Sequence, residues 1–225
     1  MEFEREELII GDKIKLLKDK KVLVLGLGGV GGYVLESLAR CGIGNLILVD
    51  YDIVDITNIN RQIIALHSNI GRKKTECFKE RLLDINPLIN VKIYDLFYNE
   101  GNKDCLFNEK IDYVIDCCDT LNSKKIIIKE CIKRNIPVIS SMGTGNKLHP
   151  ELFKIDNLSK TEYDPLAKKL RYLFKDEKEI LKKVMVIFSC EKPSEFKGKI
   201  GSISYVPSVA GLMLTSFVVN SFLDE

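Results

Sequence analysis

Residues 22–62 read VLVLGLGGVGGYVLESLARCGIGNLILVDYDIVDITNINRQ. The run from Val22 to Leu25 is apolar. Gly26, Gly28 and Gly31 then fall at G-x-G-x-x-G spacing, and Val30 to Cys41 carries apolar side chains at helical intervals. A second apolar run ends at Asp50. Strand, glycine turn, helix and strand in that order make a nucleotide-binding unit. Gly26 permits the tight turn, Gly28 lets the backbone approach a phosphate, and Gly31 lets the helix pack close to the strand. Gly29 belongs to the same turn. The free amides and dipole of the helix start favour an anion there. Asp50 stands where a carboxylate accepts hydrogen bonds from ribose hydroxyls.

That much serves NAD, FAD or ATP. The next residues discriminate. Asp52, Asn58, Arg61 and Gln62 crowd the following loop, and Lys74 comes soon after Gly71 at a helix start. A guanidinium binds phosphate as a fork and a lysine acts as a mobile point charge. Together they suit a triphosphate being split at its α-phosphorus better than a hydride carrier. In YVIDCCDT, Asp116 and Asp119 close a fourth strand. Magnesium takes oxygen ligands and bridges to phosphates, so Asp119 is the expected metal carboxylate. Asp116 is expected to cap the loop or orient Asp119, and Ser123 to cap the next helix.

Working outward, apolar strands are expected at Lys21–Leu25, Leu46–Asp50, Val91–Tyr94, Tyr113–Asp116 and Val138–Ser141. Helices are expected at Val30–Cys41, Lys73–Ile85 and Ser123–Arg134. Alternation of this kind predicts an α/β fold: a Rossmann-like, doubly wound, mainly parallel sheet covered on both faces, with ligands beyond the carboxyl ends of its strands. After Gly143 the rhythm changes. A short strand at Lys154–Asp156, a charged helix from about Pro165 to Lys183, strands near Val186–Ser189 and Ser202–Val206, and an apolar final helix are expected. The chain reads as a single domain, 1–225, with a helical arm (1–20), a nucleotide-binding core (21–143), and a substrate-binding and C-terminal helix region (144–225).

The 225 residues are 45% apolar and 29% charged with a net charge of +2, which suits a soluble globular protein and is too small to argue for nucleic acid by itself. Seven cysteines, an odd number without C-x-x-C spacing, and an acidic N-terminus without a signal pattern predict reduced thiols and a cytoplasmic location. No zinc site is expected, and the pair Cys117–Cys118 reads as strand-end packing. The stretch Val206–Leu223 reads as a buried helix rather than a membrane span.

GLGGVGG, the pattern D-x-D-x-V-D-x-T-N-x-N-R-Q from Asp50 to Gln62, the G-x-x-K of Gly71–Lys74 and the D-x-x-D of Asp116–Asp119 resemble the ubiquitin-activating-enzyme-like adenylyltransferases, the ThiF/MoeB superfamily. Within it, FEREELIIG near the start, NRQIIAL, ISSMGTGNK, DPLAKKLR, FSCEKP and GSISYVPSVAGL resemble the branch that cyclises the threonylcarbamoyl group of a tRNA adenosine. The resemblance implies a ThiF/MoeB-like fold and an ATP and magnesium site built from Gly28, Asp50, Asn58, Arg61, Lys74 and Asp119. It also implies a homodimer in which Arg5 reaches the partner's site, with sulfur-transfer or redox proteins as further partners. It calls for no catalytic cysteine. The alternative it leaves open is activation of the C-terminal glycine of a ubiquitin-like sulfur carrier. For the tRNA, Lys147, Lys168, Lys169 and Arg171 are the candidate phosphate contacts. The last three open a basic stretch that continues through Lys175, Lys178, Lys182, Lys183, Lys192, Lys197 and Lys199, and a solvated helix face accounts for that stretch equally well.

Overall fold

The computed structural model describes residues 3–192, 198 and 200–224. Two short helices, α1 (Glu4–Ile10) and α2 (Ile14–Asp19), lead into β1 (Lys21–Leu25) and α3 (Gly31–Arg40). Then come β2 (Asn45–Asp50), α4 (Lys74–Ile85), β3 (Asn90–Asp95), β4 (Tyr113–Asp116), α5 (Leu121–Lys133) and β5 (Val138–Ser141). The last third holds β6 (Phe153–Asn157), α6 (Pro165–Leu173), α7 (Lys178–Lys183), β7 (Met185–Ser189) and α8 (Tyr205–Leu223). Among the described residues the strands form one seven-stranded sheet in the order β3-β2-β1-β4-β5-β7-β6. All pairs are parallel except β6 on β7.

The inner strands are buried on both faces: Val22 to Leu25, Leu46 to Asp50 and Tyr113 to Asp116 are all buried. This is what unbroken apolar runs mean in a parallel sheet. One apolar layer packs α3, α4 and α8 on the sheet and the other packs α5, α6 and α7. The order reverses between β1 and β4, so the crevice of a doubly wound sheet opens there.

Helix α8 is apolar all round, and it is the one described helix long and apolar enough to cross a membrane. Val206, Ala210, Leu214, Val218 and Phe222 are nonetheless buried on one side of it. Gly211 lets it lie close on α3, where a Cβ would come within 2.6 Å of the Val30 carbonyl oxygen.

Two expectations for the last third are corrected. The charged stretch from Pro165 to Lys183 forms two helices, not one. Phe174 ends α6 and is fully buried in the core, and the chain turns through Asp176 before α7 begins. No strand forms at Ser202–Val206, because α8 starts at Tyr205 instead. Pro207 lies in its first turn, where a missing N–H costs no helical bond, so the proline favours a helix start and overrides the β-branched alternation. Pro193, Lys197 and Lys199, part of the sequence patterns above, lie outside the described residues.

Candidate active site

The glycine turn is built as its spacing implies. Gly26 has φ +88°, and a Cβ there would sit 2.7 Å from the Cys118 nitrogen, so the turn after β1 and the turn after β4 touch. At Gly31 a Cβ would lie 1.9 Å from the Gly26 carbonyl oxygen. Gly31→Ala is therefore expected to fold poorly or lose about 3 kcal/mol, the upper range for overpacking, as read by thermal melting. At Gly28 the case differs. The space a Cβ would fill is open, and the nearest atom is Gln62 Nε2 at 3.8 Å. The side-chain oxygen of buried Gln62 has no partner among the described residues. Helix α3 begins without a side-chain cap, as do α4 and α5, and all three start at the carboxyl edge of the sheet. Their free amides are the ones a phosphate uses.

Around this turn the polar groups are fixed by short-range structure. The Leu27 N–H donates to Asp50 Oδ2 (2.6 Å) and the Asp52 N–H to Asp50 Oδ1 (2.8 Å), so the Asp50 carboxylate is pinned between the glycine turn and its own strand end. Segment 52–54 folds back on 71–74: Ile53 bridges Lys73, and the Lys74 N–H donates to the Asp52 carbonyl (3.1 Å). The fold-back places Lys74 Nζ 2.8 Å from Asp52 Oδ2, with the lysine buried and the aspartate half exposed. Asn58 shares a reciprocal cap with Asp55, its Oδ1 accepting from the Asp55 N–H at 3.2 Å. Arg61 Nη1 donates to the Thr57 carbonyl (2.9 Å) and to Asn60 Oδ1 (2.8 Å), and Asn60 in turn donates to the Ser202 carbonyl (3.0 Å).

Asp119 is exposed at the same mouth. The Tyr51 phenol is pushed above its ordinary value chiefly by Asp52, then by burial and by Asp119 and Asp50, which places these carboxylates around one ring. That ring meets Phe97 edge-on, with centroids 5.0 Å apart. Among the described residues no group of three or more acidic, histidine or cysteine side chains forms a metal cage. A lone exposed carboxylate beside a phosphate site fits magnesium, which keeps waters and leans on substrate oxygens.

Beneath the mouth lies a group that the sequence reading missed in part. Asp116 is fully buried. Its Oδ2 accepts from Lys124 Nζ (3.0 Å) and Ser140 Oγ (2.6 Å), and its Oδ1 accepts from the Cys118 N–H (3.1 Å). Lys124 is equally buried; burial, the largest single influence, works against its charge, but Asp116 together with the neighbouring Cys118 and Cys117 outweighs it and holds the amine above its ordinary value. The signal was present, since Lys124, Ile127, Ile128 and Cys131 share one helical stripe, all fully buried. A lysine on an apolar stripe calls for a buried acid. Ser123 does not cap α5; it sits inside the helix and donates to the Tyr98 carbonyl (2.6 Å).

The cysteines here are not poised nucleophiles. Burial, reinforced by Asp116, pushes the Cys117 and Cys118 thiols far above their usual range. Cys118→Ser is expected to keep activity near wild type in steady-state assays, whereas an adduct-forming thiol would make it inactive.

The four residues proposed for RNA part company. Lys168 and Lys169 are exposed on α6. Arg171 is half-buried and donates to the Thr161 carbonyl (2.9 Å). Lys147 is buried with its Nζ on the Glu191 carbonyl (2.5 Å), so its ammonium braces the 143–150 loop and is withdrawn from solvent phosphates. Arg5 is exposed on α1, which packs beside Cys41 at the far end of α3 from the glycine turn, and it does not join the site of its own chain.

Sheet order, glycine turn and the cluster above it define a nucleotide-binding α/β protein of the Rossmann-like type. The chain belongs to the ThiF family, whose family model matches residues 5–220. It is 43% identical to a Bacillus subtilis tRNA threonylcarbamoyladenosine dehydratase over 243 aligned positions, covering all of this chain and 95% of that relative. An Escherichia coli protein of the same name is 38% identical over 175 positions, covering 77% of this chain and 65% of the relative. The solved structure of Escherichia coli TcdA in complex with ATP superposes with a TM-score of 0.94 at 33% identity, covering 99% of this chain and 94% of that one. A second structure holds AMP, with the same score. The expected superfamily and its fold are borne out.

Proposed function

We propose that this chain is an ATP-dependent tRNA threonylcarbamoyladenosine dehydratase, acting on the modified adenosine 37 of tRNA. The observation that carries the reading is the convergence of Asp50, Arg61, Lys74 and Asp119 on one glycine turn, in a chain that resembles a dehydratase of that name from end to end. The carboxylate of the threonylcarbamoyl group attacks the α-phosphorus of ATP. Pyrophosphate leaves and an acyl-adenylate forms. The carbamoyl group of the same side chain then closes on the activated carbonyl and expels AMP, which carries off the carboxylate oxygen. The carbamoyl group gives up a proton to solvent as the bond forms, and that proton with the departing oxygen makes up the water lost in the dehydration. Ring closure needs no enzyme nucleophile because the attacking group is already tethered.

Each residue has a task. Gly28 and Gly29 admit the phosphates to the amides of α3, and Asp50 holds the ribose. Asn58 and Gln62 line the phosphate path, and Arg61 and Lys74 stabilise charge on the α-phosphorus and the leaving pyrophosphate. Asp119 would hold magnesium, which supplies charge neutralisation when bound. The enzyme acts in the cytoplasm, a placement supported by its seven free cysteines. It works as a homodimer in which Arg5 serves the partner's triphosphate site; support comes from the distance of α1 from its own site and from the exposure of Leu8 (83%) and Ile9 (85%) on that helix. The tRNA backbone meets Lys168 and Lys169.

The test is pyrophosphate exchange. Exchange dependent on tRNA bearing threonylcarbamoyladenosine is the expected result. Exchange driven by a sulfur-carrier protein with a diglycine tail, and none by tRNA, would replace this reading with carrier activation. In the tRNA reaction, Lys168→Ala with Lys169→Ala is expected to weaken tRNA binding and reduce its salt dependence by a slope of about 1–2, measured by filter binding across a salt series.

A further inference from the structure

Three donors from three different elements fix the carboxylate of Asp116. Lys124 comes from α5, Ser140 from β5, and the Cys118 N–H from the turn after β4. The same turn is held on its other side, where the Cys117 N–H donates to the Leu25 carbonyl (2.7 Å) and the Cys118 backbone rests on Gly26. One residue further, Asp119 stands in solvent. Its bond from Thr120 Oγ1 is 3.5 Å long, too weak to hold it, so its place is inherited from the turn. An apolar side chain at position 124 would fill the stripe without the cost of removing an ammonium from water. The lysine therefore contributes something other than packing.

We infer that Lys124 is a positioning residue for adenylation: acting through Asp116, its ammonium holds the 116–119 turn so that Asp119 meets the phosphate-bound magnesium. The inference rests on the function proposed above, in which Asp119 is the metal carboxylate. Lys124 touches neither nucleotide nor metal. Its effect appears in how well magnesium supports ATP binding, and the nucleoside contacts at Asp50 are untouched because they are anchored from β2 and the glycine turn.

Calorimetric titration of magnesium at fixed ATP reads this directly, with AMP in the absence of metal as the companion measurement. Lys124→Met is expected to raise the magnesium midpoint by about tenfold or more, in the range seen when groups supporting a metal ligand are removed. AMP affinity stays at the wild-type value, and Lys124→Arg restores most of the magnesium dependence. A folded Lys124→Met protein with the wild-type midpoint overturns the inference. Should Lys124→Met fail to fold, Lys124→Gln replaces it, since it removes the ammonium and keeps an amide donor for Asp116; a smaller rise in midpoint is expected, and an unchanged midpoint overturns the inference. Asp119→Asn in the same titration separates the two layers. If it keeps the wild-type magnesium dependence, the metal role of Asp119 fails whatever Lys124 does. If it loses that dependence while the Lys124 variants do not, the positioning role alone fails.

Discussion

Arg61→Ala is expected to lower kcat by about 10²–10³, which is the cost of about 2.7–4 kcal/mol of barrier typical when one preorganised charge-stabilising group is lost. In the proposed reaction the loss concerns the transition state, because Arg61 is assigned there to the negative charge that grows during attack on phosphorus. Its present partners, the Thr57 carbonyl and Asn60 Oδ1, are neutral acceptors, so the guanidinium keeps donors free for phosphate oxygens. The residue is only partly buried, and its removal opens no core cavity. The melting temperature should stay near that of the parent. Steady-state turnover on modified tRNA, paired with a thermal melt, checks both halves. An Arg61→Ala enzyme with full turnover would remove the phosphate role.

The second large effect is on stability. Asp116→Ala leaves the Lys124 ammonium fully buried with its counter-charge gone, a change that costs about 3–5 kcal/mol. For a chain of this size that lowers the melting temperature by roughly 6–20 °C. The double variant Asp116→Leu with Lys124→Met removes both charges at once. Because a well-packed apolar pair replaces a buried ion pair at little or no cost, it is expected to regain most of the lost stability while adenylation stays impaired. Denaturant melts of the single and double variants, beside pyrophosphate exchange, make the comparison. A double variant as unstable as Asp116→Ala would mean that packing, not charge, dominates at this spot.

The parts of this fold that could be read from the chain are those where local and global preferences agree. Strands β1, β4 and β5 fall where their apolar runs place them, because strands buried on both faces leave little doubt about where they stop. The glycine turn was equally legible, since its spacing is a steric requirement that Gly26 and Gly31 meet against backbone atoms. Most of the misreadings share a cause. Over 165–183 the helical charge pattern is continuous, and only the burial of Phe174 in the tertiary core breaks it. At 202–206 an alternating pattern yields to Pro207 at the start of α8. Lys147 was expected among the RNA-facing cations, yet the backbone carbonyl of Glu191, distant in sequence, draws it inside. Lys124 was overlooked because its partner lies on another element, although its place on an apolar stripe announced it. Contacts between separate elements decided the outcomes at Phe174, Lys147 and Lys124, whereas at 202–206 the neighbouring proline acted locally.

The pair between Lys74 and Asp52 has a consequence for the encounter with nucleotide. A free lysine carries about 2 kcal/mol of rotamer entropy, and here the side chain surrenders that freedom while the protein folds. An ammonium has three protons, and Asp52 takes one of them at 2.8 Å. In the proposed site an arriving phosphate thus finds the cation already aimed, with donors to spare. It need not evict the aspartate to be received. The pocket is wired for its guest before the guest appears, and the free energy of ordering this arm is settled at folding and spared at each turnover.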